Sequence, residues 1–203
     1  MRCFFKVFVA LCLALTVSAC SKPAAWASDE DLAKVQYRDA GPTKLTLFTM
    51  INNRSGVGAH TSLMISASQR VIWDPAGSFY HPSIPERNDV LFGISPRVAD
   101  VYTRYHARET FHVIVQELEV SPDVAEKALQ LALARGNVGD AQCALSTSGI
   151  LSQLSGLESV SVGWYPKKLA EQFGALPGVT ERKLYEYDKA DLRAYDPALV
   201  KIN

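Results

Sequence analysis

Cys143 and His60 are the two residues of this sequence whose types could together carry out chemistry. A cysteine thiol becomes a strong nucleophile once it is ionised, and a nearby imidazole can take its proton. The chain has four cysteines, and the other three, Cys3, Cys12 and Cys20, lie in or at the end of an apolar amino-terminal segment. If that segment is an export signal, Cys143 has no disulfide partner within the chain and its thiol stays free.

The position of Cys143 predicts a thiol pKa below the ordinary value. Asp140 is the candidate N-cap of a helix that runs to Gly156, which makes Cys143 about the third helical residue, near the positive end of the helix dipole. Backbone N–H groups at that end could also stabilise an oxyanion. The apolar neighbours Ala144 and Leu145 leave a second interpretation open, in which Cys143 is a buried and unreactive cysteine.

His60 is the preferred base among the four histidines. It directly follows a glycine-rich turn and lies on the more polar face of the strand predicted at 59–66. His112 lies in an apolar strand, a position typical of a core histidine. His81 lies in a proline-rich loop, and His106 lies on a charged helix that we expect to face solvent. Only the pairing with Cys143 favours His60 over a structural role.

A histidine base also needs a group that orients its ring, and Asp74 is the candidate. The register of the hairpin decides whether it can do so. A two-residue turn at 68–69 places Asp74 on the sheet face away from His60, whereas a three-residue turn at 67–69 places it diagonal to His60 on the same face. The sequence leaves both registers open, and His81 is the fallback.

The elements around these residues predict an α+β domain in which helices pack on an antiparallel sheet. The predicted strands are 44–51, 59–66, 70–74 and 111–118, with one further strand after residue 179, and the predicted helices are 100–108, 121–136, 140–156 and 165–173. Residues 77–96 contain three prolines and the aromatic residues Phe79, Tyr80 and Phe92. Such a long irregular stretch is typical of a rim or lid, although it could equally be a surface excursion.

The amino terminus predicts export from a bacterial cell. Arg2 and Lys6 precede an apolar run at 7–15. This run is shorter than the roughly 20 residues that span a bilayer, and it fits the core of a secretory signal.

The run ends in Val-Ser-Ala-Cys at 17–20, which resembles the lipobox of bacterial lipoproteins. In that family the cysteine, here Cys20, is acylated and becomes the first residue after cleavage. The alternative is an ordinary signal peptide with a cysteine near its cleavage site. By the same resemblance, Ser21 predicts the outer membrane and a domain that faces the periplasm. The expected division is a signal at 1–19, a tether and lead-in at 20–43, and a single domain at 44–203.

Composition and motifs argue against several other functions. The chain has 21 basic and 21 acidic residues, and removing a signal that is only basic leaves it slightly acidic, so we expect no nucleic-acid partner. The glycines at 56 and 58 are followed by Thr61, where a dinucleotide fingerprint needs glycine, and there is no Gly-x-Ser-x-Gly elbow. The four histidines lack metal-ligand spacing, so we expect neither a metal nor a cofactor.

The order of these elements resembles the circularly permuted branch of the NlpC-type papain-like cysteine hydrolases, which includes the lecithin:retinol acyltransferase-like proteins. In that branch a histidine on a hairpin strand precedes the cysteine, which opens a later helix. The matching segments are Gly-Ala-His-Thr-Ser-Leu at 58–63 and Gly-Asp-Ala-Gln-Cys-Ala-Leu at 139–145, and the similarity covers residues 44–180. Many permuted members have asparagine directly before the cysteine, where this chain has Gln142.

The resemblance implies a papain-like fold in permuted order and thioester chemistry. Cys143 would attack an amide or ester carbonyl, and His60 would shuttle the proton. The expected function is a thiol-protease-like hydrolase of the cell envelope, with peptidoglycan stem peptides as plausible substrates. Two alternatives stay open. An acyltransferase or lipid-ester hydrolase would need a larger apolar cleft under Phe79, Tyr80 and Phe92. An inactive lipoprotein binding or scaffold module would have a buried, unreactive Cys143.

Overall fold

A computed structural model describes residues 25–189 of the chain. They form an α+β fold with one seven-stranded sheet and five helices packed around it. The proposed signal at 1–19 and Cys20 lie outside the described residues. None of the helices between residues 25 and 189 combines the length and the apolar character needed to cross a bilayer.

The sheet is antiparallel throughout, in the order β4-β5-β3-β2-β1-β6-β7. Its strands are β1 Lys44–Asn52, β2 Gly58–Ser66, β3 Arg70–Trp73, β4 Glu86–Arg87, β5 Val90–Leu91, β6 Phe111–Glu119 and β7 Thr180–Leu184. The helices are α1 Asp29–Val35, α2 Pro96–His106, α3 Pro122–Arg135, α4 Cys143–Leu151 and α5 Pro166–Gly174.

Two hydrophobic cores lie on opposite faces of the sheet, because successive strand residues point to opposite sides. Leu45, Leu63 and Ile65 face the core that α3, α4 and α5 cover. Phe48 and Met64 face the core that α2 covers. With helices on both faces, the central strands are apolar along nearly their whole length, and β1 is buried from its second to its eighth residue.

The loop at 77–96 does not form the apolar cleft under Phe79, Tyr80 and Phe92 that the acyltransferase or lipid-ester hydrolase alternative would need. Phe79 belongs to the core beneath α2, whereas Phe92 belongs to the core on the other side of the sheet. Tyr80 is 65% exposed. The loop also contains β4 and β5, which extend the sheet beyond β3. The two phenylalanines are therefore core residues, and they cannot line one cleft with Tyr80.

The lead-in before β1 is packed on the domain in its described part. Ala25 accepts a hydrogen bond from the Asn88 N–H at 3.0 Å. Side chains of α1 contact the core beneath α3 and α4. Asp39 forms an ion pair with the buried Arg70 at 2.5 Å. Residues 25–39 therefore belong to the folded unit, and any free tether is limited to the residues before them.

Candidate active site

The hairpin of β2 and β3 brings His60 and Asp74 together. Ser66 pairs with Arg70 across a three-residue turn, so Asp74 follows β3 on the same sheet face as His60. The His60 Nε2 atom lies 2.7 Å from the Asp74 Oδ1 atom. Of the two registers that the sequence allowed, this is the one that lets Asp74 orient the imidazole.

The carboxylate of Asp74 is buried and tightly surrounded. Only 4% of the residue is exposed, and the Tyr102 hydroxyl lies 2.8 Å from its Oδ1 atom. The same hydroxyl lies 2.7 Å from Ser62 Oγ, so Tyr102 donates its single proton to the carboxylate and accepts one from Ser62. A Cβ atom on Gly77 would stand 2.0 Å from Asp74 Oδ2. Only glycine at position 77 therefore leaves room for this carboxylate.

His60 and Asp74 favour each other's charged forms. Burial alone lowers the pKa of His60, but the hydrogen bonds to Asp74 and Cys143 and their negative charges raise it to about 10. Burial alone raises the pKa of Asp74, and the hydrogen bond and charge of His60 bring it below the ordinary value. The charge that His106 carries below about pH 4 and the Tyr102 hydrogen bond add to this lowering. The pair is therefore an imidazolium and a carboxylate at neutral pH.

Cys143 is the first residue of α4 rather than the third. The N-cap is Gln142, and Asp140 lies in the preceding turn, so the predicted Asp140 cap is wrong. The cause is Ala141, whose φ of 61° is left-handed and interrupts the helical conformation. The helix also ends at Leu151 instead of continuing to Gly156. Cys143 is nevertheless at the positive end of the helix dipole, as predicted.

The Cys143 thiol is within hydrogen-bonding reach of the His60 ring. Because Nε2 of His60 is taken by Asp74, its Nδ1 is the nitrogen left for the sulfur. Burial raises the pKa of the thiol. The hydrogen bond and positive charge of His60, followed by the backbone N–H groups of Thr61 and Ala144, outweigh burial and lower that pKa below its ordinary value. The arrangement favours a thiolate beside an imidazolium.

His106 lies next to this group, a position that the sequence analysis missed. Its ring centroid is 6.1 Å from that of His60, and its Nδ1 atom donates to the Tyr102 carbonyl at 2.9 Å. Burial is the main cause that lowers the pKa of His106, to about 4, although Asp74 opposes it. The expectation of a solvated histidine was wrong. A signal was present, because His106 lies four residues after Tyr102 and four-residue spacing places both on one helix face.

A cleft of about 330 Å³ opens beside His60. Polar and apolar side chains line it, including those of Met50, Tyr105, His106, Arg108 and Phe111. Gly77 and Ser78 form another part of its wall, directly after the turn that holds Asp74. The volume is at the lower end of the range of small-ligand sites. Of Cys143, His60 and Asp74, it is His60 that lines this cleft.

The other two predicted histidine positions lie outside this arrangement. His81 is 4% exposed, and its Nδ1 atom accepts a hydrogen bond from the Ser83 N–H at 3.1 Å. Asp74 fills the orienting role for which His81 was the fallback. His112 is not a core residue, because it lies 2.7 Å from the Asn53 Oδ1 atom at the surface and stacks on Tyr185.

The geometry combines a nucleophile, a base and an orienting carboxylate, the three parts of a covalent hydrolytic site. Within residues 25–189, no group of three or more His, Cys, Asp and Glu side chains is arranged to hold a metal ion. Comparisons with protein-family models, with curated proteins and with solved structures find no significant match for this chain.

Proposed function

We propose that this chain is an envelope-anchored cysteine hydrolase that cleaves an amide bond through a Cys143 thioester. The observation that carries the proposal is the 2.7 Å contact of His60 with Asp74, together with the lowered pKa of the Cys143 thiol beside His60. The proposal includes a permuted papain-like arrangement, with the histidine strand before the cysteine helix. Peptidoglycan stem peptides are the proposed substrate class, given the proposed location.

The reaction follows from the charges of the resting site. The Cys143 thiolate attacks the carbonyl carbon, and the carbonyl electron pair moves to oxygen, where the Thr61 and Ala144 N–H groups are available as donors. The tetrahedral adduct collapses, the C–N bond breaks, and His60 gives its proton to the leaving amine. Neutral His60 then takes a proton from water, which attacks the thioester and releases the acid and the thiolate. Asp74 stabilises the imidazolium at both ends of the cycle.

The test is the pH dependence of Cys143 alkylation by iodoacetamide in the chain that begins at residue 21. Wild type is expected to react rapidly at pH 6, because the lowered thiol pKa increases the thiolate fraction there. His60→Ala is expected to react about 100-fold more slowly at pH 6, as a thiol with a pKa near 8.5 is almost fully protonated. Cys143→Ser is the control for labelling elsewhere.

A second measurement connects reactivity to turnover. Digests of envelope peptides by wild type and Cys143→Ser are compared by mass spectrometry for products and for an acyl adduct on residue 143. Slow labelling that begins only above pH 8 and does not change in His60→Ala would contradict the enzyme proposal. That result would leave the third possibility, an anchored binding or scaffold module with an inert cysteine.

The anchor is a separate part of the proposal. Cys20 is expected to carry acyl chains and to hold the domain at the outer membrane on the periplasmic side, since several chains give stable anchoring. Labelling with a clickable fatty acid is expected in wild type and is expected to be lost in Cys20→Ala. Equal labelling of the two chains would show that residue 20 is not the site of acylation.

A further inference from the structure

We propose that the domain docks on an anionic lipid bilayer through an exposed aromatic surface next to the Cys143–His60 site. This docking patch consists of the apolar residues Val57, Val162, Trp164 and Tyr165 and of the basic residues Lys167 and Lys168. The inference rests on the lipid anchor of the proposed function, and it does not depend on the hydrolase chemistry.

The apolar members of the docking patch are unusually open to solvent. Val57 and Val162 are 61% and 55% exposed, and Trp164 and Tyr165 are 54% and 72% exposed. Single exposed apolar residues are common on proteins, but a cluster of large ones marks an interaction surface. Both aromatic types are those enriched at the level of lipid headgroups, where one end of the ring system meets hydrocarbon and the other meets water.

The docking patch is continuous although its residues come from two parts of the chain. Val162, Trp164, Tyr165 and Lys168 line one shallow groove of about 170 Å³. The β1–β2 turn that carries Val57 meets this surface, because a Cβ atom on Gly58 would stand 2.5 Å from the Lys167 backbone nitrogen. The β1–β2 turn and the loop before α5 thus form a single surface. Gly58, at their contact, is two residues before His60 in the chain.

The loop before α5 is fixed to the helix of the nucleophile. The Gly163 N–H donates to Ser148 Oγ at 3.0 Å, and Ser148 is buried in α4. Ser148 in turn donates to the Ala144 carbonyl at 2.6 Å, in the first turn of α4 beside Cys143. The aromatic residues are therefore held at a defined position relative to the site, as a surface that orients the molecule requires.

The charges around the docking patch favour an anionic bilayer as the surface to which it binds. Lys167 and Lys168 are exposed directly after Tyr165, and Arg54 is exposed in the β1–β2 turn beside Val57. One exposed acidic residue, Glu171, follows a turn later on α5. An excess of cations around exposed tryptophan and tyrosine is complementary to anionic headgroups above an apolar interior.

Ala25, the first described residue after the proposed anchor at Cys20, lies at the end of the sheet where β2 begins. Ala25 is held by Asn88, in the turn between β4 and β5. The five residues from Cys20 to Ala25 span at most about 18 Å in any conformation. The register from Arg87 through Val90 and Trp73 to Leu63 places this turn at the end of the sheet where β2 begins. An anchor at Cys20 therefore draws that end towards the bilayer.

The test uses tryptophan quenching in the full acylated chain, reconstituted into vesicles of phosphatidylethanolamine and phosphatidylglycerol with brominated acyl chains. The emitters are Trp26, Trp73 and Trp164, and Trp73 is fully buried. In Trp26→Phe, bromination is expected to remove about half of the emission, because Trp164 lies in the headgroup region. In the double variant Trp26→Phe/Trp164→Phe the remaining emission is expected to be insensitive to bromination, while phenylalanine keeps the surface apolar.

A second comparison tests the charges and the outcomes. Lys167→Gln/Lys168→Gln is expected to reduce Trp164 quenching several-fold on vesicles with phosphatidylglycerol, whereas Lys183→Gln on β7 is expected to leave it unchanged. Chain that floats with vesicles but shows no quenching of Trp164 would overturn the docking patch and leave the anchor intact. Chain that does not float would overturn the anchor and this inference with it. Either result leaves the thiol-reactivity test of the hydrolase unaffected.

Discussion

The ring centroids of His60, at the start of β2, and His106, at the end of α2, lie 6.1 Å apart. Their surroundings nevertheless shift the pKa values of the two rings in opposite directions. Burial lowers the pKa of both rings. His60 overcomes burial through direct contact with the Asp74 carboxylate, and its pKa rises to about 10. His106 donates only to a backbone carbonyl, and its pKa falls to about 4. A direct contact with a buried carboxylate, rather than depth, decides which histidine is charged.

This difference in pKa also gives the two rings different roles. The positive charge on His60 is one of the causes that keep His106 neutral. A neutral His106 beside the cleft removes a competing cation from the neighbourhood of Asp74. Cys143 therefore faces one imidazolium, and the proton that the proposed reaction needs is on the ring that can deliver it.

Asp74→Asn is the most direct way to abolish the difference between the histidines. The amide keeps the shape but removes the charge, so the pKa of His60 is expected to fall and that of Cys143 to rise. Alkylation of Cys143 at pH 6 is expected to slow about 10- to 100-fold, as each unit of thiol pKa costs about a factor of ten in thiolate. The measurement is the pH profile of alkylation together with the histidine resonances by NMR.

Asp100→Asn is the matched control for that variant. Asp100 is a carboxylate on α2 itself, and it pairs with Arg104 on the outer face of the helix at 3.1 Å. Its profile is expected to match wild type. If Asp74→Asn left the alkylation profile unchanged, the charge on His60 would have to come from another source, and the contrast between the two rings would lose its explanation.

His106→Gln removes the other half of the contrast and is expected to change stability in acid. The folded pKa of His106 is about 4, below the usual histidine value near 6.5, so the unfolded chain binds more protons between these limits. Stability therefore falls as pH drops from about 6.5 to about 4, with a slope of at most about 1.4 kcal/mol per pH unit. His60 contributes oppositely: its stabilisation is complete below about pH 6.5 and is lost as pH rises through about 10.

Urea unfolding at pH 4.5, 5.5 and 6.5 measures this slope. The free energy of unfolding of His106→Gln is expected to vary less with pH than that of wild type. Asp74 contributes little in this window, because its stabilisation is lost mainly as pH falls below the ordinary carboxyl value near 3.8. His112→Gln is the comparison variant and is expected to reduce the slope less, since His112 is at the surface beside Asn53 and its pKa is lowered by partial burial and by Lys183. Equal slopes in wild type and His106→Gln would show that the neutral form of His106 is not held by the fold.

The strands other than the short β4 and β5 could be predicted from local pattern, and the sequence also pointed to Cys143 and His60 as a pair. Alternation and turn residues gave β1, β2, β3 and β6 to within a residue or two. The register of the β2–β3 hairpin could not be fixed, because two-residue and three-residue turns fit the same letters. The observed register places Asp74 against Tyr102, a residue distant in sequence that the local pattern does not include.

The two errors near the site have different physical origins. The predicted start of α4 was wrong because Ala141 adopts a left-handed φ. This conformation is uncommon for alanine, so the residue type does not indicate it. His106 was assigned to solvent because its neighbours Arg104 and Arg108 are charged, whereas its side chain follows the buried face of Tyr102 and Val98. In both cases the prediction rested on neighbouring residues in the sequence, whereas the conformation and contacts are set by the tertiary structure.

Tyr102→Phe is expected to have the smallest effect on reactivity, and it sharpens the comparison by testing how the carboxylate is held. The variant removes the proton donated to Asp74 and leaves the Ser62 hydroxyl without its partner. Loss of a buried hydrogen bond predicts a fall in unfolding free energy of about 1–3 kcal/mol. Alkylation of Cys143 at pH 6 is expected to change less than about 3-fold, because Asp74 keeps its direct bond to His60 and each tenfold loss needs a full pKa unit.

Tyr105→Phe is the matched control, since the Tyr105 hydroxyl donates to the Ser78 carbonyl at 3.3 Å. Its alkylation rate and stability are expected to stay close to wild type. A collapse of alkylation in Tyr102→Phe as large as in Asp74→Asn would contradict the expected division of roles. It would mean that the direct contact of 2.7 Å between His60 and Asp74 does not persist without the tyrosine. The feature that separates the two histidines would then be the pair of Tyr102 and Asp74, held together from α2, rather than the carboxylate alone.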